Sequence, residues 1–90
     1  MISYEPLWHT MERRKITKYQ LIYHWGISSN TLRRMSHDEP ISSTTLNQLC
    51  LILSCKVQDI MIFEPTEQEL EEKEQTILKI KESYRHKNKP

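Results

Sequence analysis

At 90 residues the chain has room for one small domain and not for two, and a core of that size must use nearly every large apolar residue. Hydrophobic residues make up 37% and charged residues 28%, an ordinary balance for a soluble globular protein, and no apolar run approaches the roughly 18 residues that span a bilayer. A net charge of +1 excludes attraction to nucleic acid by bulk positive charge, so any such contact must come from local clusters such as Arg13-Arg14-Lys15 with Lys18, or Arg33-Arg34.

The first residues, Met1-Ile2-Ser3-Tyr4-Glu5-Pro6, lack the basic and apolar regions of a signal peptide, so the expected address is the cytoplasm. Ile2-Ser3-Tyr4 reads as a short extended segment. Pro6 suits the first turn of a helix, and Leu7 and Met11, four apart with Trp8 beside them, mark one face of it to about Arg14. Thr17 caps a second helix through about Trp25, and Gly26, the only glycine, ends it. Ser28 caps a third, through Met35. The polar stretch Ser36–Pro40 is a loop.

Ser42 caps a fourth helix, about Ser43 to Ser54, with Leu46, Leu49, Cys50 and Leu53 spaced as a buried stripe. Lys56–Ile60 reads as a short fifth helix closing the core with Val57 and Ile60. Met61-Ile62-Phe63 is a candidate strand, whose partner would be Ile2–Tyr4 in the same chain or in a second one. Cys50 and Cys55 fit small buried apolar groups. His9, His24, His37 and His86 do not stand at ligand spacing to them, so no metal is implied.

Between Thr17 and Met35 the pattern becomes specific. Two short helices meeting at a sharp turn must bury its inner corner and need a residue tolerant of positive φ between them. Leu21 and Trp25 are expected to face inward from the first of these helices, Ile27 to plug the turn, and Leu32 and Met35 to face inward from the second, with Gly26 in the turn. This pattern resembles the helix-turn-helix of phage repressor and Cro-type (Xre-like) regulators. The resemblance runs over roughly residues 2–65, through Ile41-Ser42-Ser43-Thr44-Thr45-Leu46 and Leu53-Ser54-Cys55-Lys56-Val57-Gln58-Asp59-Ile60. It implies an all-α, compact five-helix DNA-binding domain over residues 1–65, with possible short strands at its start and after the fifth helix. Two positions depart from the family pattern: Lys18 stands where Gln is usual, and Ile22 where a small residue is usual.

The resemblance further implies that the second helix of the motif lies in the major groove of double-stranded DNA, its N-terminal residues at the base edges. With Leu32 and Met35 committed inward, Ser29, Asn30, Arg33 and Arg34 face out. Asn pairs bidentately with adenine and Arg with guanine, so Ser29, Asn30 and Arg33 are expected at bases, and Arg34 between base and phosphate. Helix N-termini favour anions, which makes Thr17, Lys18, Ser28, Ser42 and Ser43 the expected phosphate contacts. Tyr19 and Tyr23 lie on the outer side of their helix as surface or partner contacts.

Residues 66–90 differ in kind. Residues 66–75 hold five Glu and one Lys, and residues 76–90 hold five Lys or Arg and one Glu, charges of −4 and +4 that both suit a helix dipole. Thr66 and Glu69 fit a capping box, and Leu70, Ile77, Ile80 and Tyr84 form a sparse heptad stripe broken by Lys73. The stripe would either pair with a second copy in antiparallel fashion or pack on its own domain. The expected function is sequence-specific DNA binding in transcription regulation, as a repressor and a homodimer. An interaction module of the same fold (antitoxin, antirepressor or adaptor) is the alternative. No Gly-rich phosphate loop, nucleophile–base set or ligand cluster suggests an enzyme or a cofactor.

Overall fold

Pro6 occupies the first turn of helix α1 (Glu5–Arg14), where a missing N–H is no loss, in a computed structural model that describes residues 1–87. Helices α2 (Lys18–Tyr23), α3 (Ser29–Ser36) and α4 (Ser43–Leu53) follow. Each of these three begins on the cap anticipated for it. The side-chain oxygens of Thr17, Ser28 and Ser42 accept from the backbone N–H of Gln20, Thr31 and Thr45. Gln20 completes a capping box by accepting from the Thr17 N–H.

The ends of these four helices share one device. After α1, Lys15 adopts a left-handed conformation (φ 56°), and the N–H of Ile16 returns to the carbonyl of Met11. Asp38 (φ 55°) does the same after α3, with Glu39 returning to Arg34; Ser54 (φ 48°) does so after α4, with Cys55 returning to Cys50. Non-glycine residues bear a steric cost there of roughly 1–2 kcal/mol each. The single glycine is kept for the fourth case, the corner between α2 and α3, where Gly26 has φ 73°.

The sheet is one antiparallel pair within the chain, β1 (Ile2–Ser3) on β2 (Ile62–Phe63), with Ile2 opposite Phe63 and Ser3 opposite Ile62. The core is drawn from every helix of the first 60 residues. Leu7 and Met11 of α1, Leu21 of α2, Leu32 and Met35 of α3, and Leu49 and Leu53 of α4 close around Tyr4, Ile27 and Ile60. Burial raises the Tyr4 pKa above its ordinary value.

Three expectations need correction. The fifth helix is a single 3₁₀ turn, Val57–Asp59, because only a few residues separate the left-handed Ser54 from β2. Val57 consequently points outward at 49% exposure, and Ile60 alone closes the core. On α4 the buried stripe narrows to Leu49 and Leu53. Leu46 and Cys50 flank it half-buried, and Cys55 is half-buried as well, so the thiols are free and partly shielded rather than interior. Burial still raises the Cys55 pKa.

Helix α5 (Glu67–Glu71) opens on the expected Thr66–Glu69 capping box, and α6 (Lys73–Lys87) follows it. The N-terminal ammonium of Met1 lies 2.7 Å from a Glu69 carboxylate oxygen and donates to the Glu64 carbonyl. The ammonium's bond to Glu69, with the Thr66 N–H, holds the Glu69 carboxyl below its usual pKa. Among the described residues no helix is long and apolar enough to cross a membrane, and no group of three His, Cys, Asp or Glu could hold a metal ion.

Candidate nucleic-acid interface

The corner of the motif is fixed by backbone as much as by side chains. The Gly26 N–H donates to Ile22, and the Ile27 N–H donates to Leu21, which draws Ile27 over the end of α2. Leu21, Ile27, Leu32 and Met35 are all buried, as anticipated. Trp25 is not. Helix α2 stops at Tyr23, so the face carrying Leu21 is not continued one turn further, and Ile27 covers it instead. Trp25 stands 45% exposed with its ring edge-on to His24 at 5.8 Å. Ile22 is accommodated half-buried against the core.

With Leu32 and Met35 turned inward, α3 leaves Ser29, Asn30 and Arg33 exposed and Arg34 half-buried beside them. The arginines are not loose. Arg33 donates from Nε and Nη2 to the Asn30 Oδ1, at 3.2 and 3.0 Å, one turn back along the helix. The Arg33 carbonyl lies 2.8 Å from the Nδ1 of His37. Glu39 stands against both cations: its carboxylate is 3.8 Å from Arg34 Nε and 4.0 Å from Arg33 Nη2. The left-handed turn at Asp38 puts it there, by returning the Glu39 N–H to the Arg34 carbonyl. Sequence reading missed Glu39, since nothing in a loop Glu announces which cation it will meet.

The phosphate candidates also stand exposed. Thr17, Ser28, Ser42 and Ser43 lie at the starts of three helices, with Lys18 in the first turn of α2. Lys18 Nζ lies 4.7 Å from the centre of the Trp8 ring, a cation–π contact that orients the ammonium. The basic cluster divides: Arg13 and Arg14 are structural. Arg13 donates to the buried Thr10 hydroxyl and lies 3.8 Å from the Asp59 carboxylate, while Arg14 donates to the Ser54 carbonyl. Thr10 in turn donates to the Asp59 carbonyl at 2.6 Å, tying α1 to the 3₁₀ turn. Tyr19 and Tyr23 are exposed as anticipated, ring centres 4.6 Å apart.

Two capped helices about a glycine corner, with an outward polar face on the second, agree with a comparison of the whole sequence. The model of the Cro/C1-type HTH DNA-binding domain matches residues 6–66. The chain belongs to that family. A structural match adds the crystal structure of the transcriptional regulator VanUg, 31% identical, covering 72% of this chain and 87% of that chain with a TM-score of 0.66. No curated protein matches. The chain is thus a DNA-binding regulator by family, and α2 and α3 form its helix-turn-helix.

The carboxylate of Glu39 thus lies against two cations that are expected DNA contacts. Replacing it by Gln is expected to strengthen binding to duplex DNA several-fold at low salt, since partly exposed pairs are each worth roughly 0.2–1 kcal/mol. Polarisation titrations of the wild type and Glu39→Gln check it; equal affinities would mean that Glu39 leaves the arginines free.

Proposed function

We propose that the protein regulates transcription, as a repressor, by binding a specific double-stranded DNA site with α3 in the major groove. Ser29, Asn30 and Arg33 read base edges, and Arg34 is shared between base and phosphate. The observation that carries the reading is the face of α3: four polar side chains stand where the core needs none, on a helix whose opposite face is buried through Leu32 and Met35. The Asn30–Arg33 bond supports it further, because it holds a guanidinium fork and an amide together in advance. Thr17, Lys18, Ser28, Ser42 and Ser43 anchor phosphates from the free N–H ends of three helices. The protein acts as a homodimer on two half-sites about 34 Å apart, one turn of DNA.

The test is selection of bound duplexes from a random library, followed by polarisation titration of the selected duplex at two salt concentrations. A common sequence bound more weakly at high salt is expected. Absence of any selected sequence, with no duplex bound at low salt, would favour an adaptor role. The exposed Tyr19, Tyr23 and Trp25 would then be its contact surface.

A further inference from the structure

Helix α6 spans 15 residues, a length at which an isolated helix is marginal in water. Every residue from Ile62 to Tyr84 is exposed, so among the described side chains of α5 and α6 none is buried on the chain's own core. Yet the two helices carry an apolar stripe: Leu70, Ile77, Ile80 and Tyr84 recur at spacings of seven, three and four, and each is 46–64% exposed. Among the described side chains none covers it. Packing on its own domain is therefore not what this stripe does.

We propose that the stripe is covered by the same stripe of a second copy, the two helices running antiparallel. Charge selects both the occupant and the direction. Residues 66–75 carry −4 and residues 76–90 carry +4, so antiparallel copies set each acidic half against a basic half. Parallel copies would set like against like. With Leu70, Ile77 and Tyr84 in the first core position of the heptad and Lys73 and Ile80 in the second, Glu74 and Lys81 both fall in the flanking position just after the second. A two-fold axis crossing near Leu78 then brings Glu74 of each copy to Lys81 of the other. This pairing rests on the homodimer proposed above and names its surface; binding of one DNA half-site does not depend on it.

Sedimentation equilibrium of the full chain tests the pairing with two charge variants, Glu74→Lys and Lys81→Glu. Each variant places like charges together twice in its own dimer, and each is expected to weaken dimerisation about ten-fold or more. An equimolar mixture pairs Lys with Glu at both places and is expected to recover the wild-type affinity, which a merely unfolded variant would not do. Circular dichroism of each variant checks that its helices persist. A monomeric wild type, variants that dimerise as tightly as wild type, or a mixture no tighter than its parts would overturn the proposal. Polarisation with a single half-site separates this failure from failure of the DNA reading.

Discussion

Truncation of Arg33 to Ala is expected to weaken binding to the selected duplex by about ten-fold to a hundred-fold, the scale of one lost bidentate base contact at roughly 1–3 kcal/mol. The loss should fall unevenly across sequences. A guanidinium that reads a base is missed at one position of the site, whereas one that meets a phosphate is missed equally everywhere. Arg33→Lys separates the two further. It keeps the charge and discards the planar fork that Asn30 now holds, so affinity for unrelated DNA should survive while discrimination falls. Glu39 complicates the bookkeeping in a predictable direction. With Arg33 gone its carboxylate keeps only Arg34, so the gain from Glu39→Gln should differ between the wild-type and Arg33→Ala backgrounds. Polarisation titrations of the four proteins against the selected duplex and one scrambled duplex measure both effects. A uniform loss across sequences would move Arg33 from base to backbone.

Replacing Leu21 with Ala should cost about 2–5 kcal/mol, the range for a fully buried Leu that leaves a cavity. For a domain whose whole stability is of order 5–15 kcal/mol, that is a large share. The position matters as well as the size. Leu21 faces the corner through which α2 fixes the angle of α3, and its carbonyl receives the Ile27 N–H. Denaturant unfolding followed by circular dichroism should show the loss in the midpoint, and DNA binding should fall in parallel as the folded fraction falls. A stability change below about 1 kcal/mol would mean that the corner tolerates a void, contrary to its packing.

Several of these features could be read from the sequence because their causes are local. Thr17, Ser28, Ser42 and Thr66 each bond an N–H three residues on, so the capping residue and its helix start are visible in one short window. The same holds for Gly26 at the corner and for Leu21, Ile27, Leu32 and Met35 around it. Trp25 and Val57 failed for one shared reason. The face a residue presents depends on where its helix stops, and α2 ended at Tyr23 while the fifth helix shrank to one turn. Periodicity does not report an ending to within one or two residues.

The candidate interface divides along the same line. That Ser29, Asn30, Arg33 and Arg34 point away from the core followed from helical spacing alone. What constrains them did not. Glu39 reaches Arg33 and Arg34 only because Asp38 turns left-handed, and Lys18 meets Trp8 only through the crossing of α1 and α2. The structural duties of Arg13 and Arg14 were equally hidden, since their acceptors, the Thr10 hydroxyl and the Ser54 carbonyl, are arranged by the packing of α1.

Dimethyl sulfate probing of the selected duplex, with and without protein, is the most direct measurement of whether α3 meets DNA in the major groove. The reagent methylates guanine N7 in the major groove and adenine N3 in the minor groove, so it reports which groove is covered. Protection of guanine N7 within the selected sequence, lost at one guanine in Arg33→Ala, is the predicted result. Protection confined to adenine N3, or a pattern unchanged by the protein, would contradict a recognition helix in the major groove.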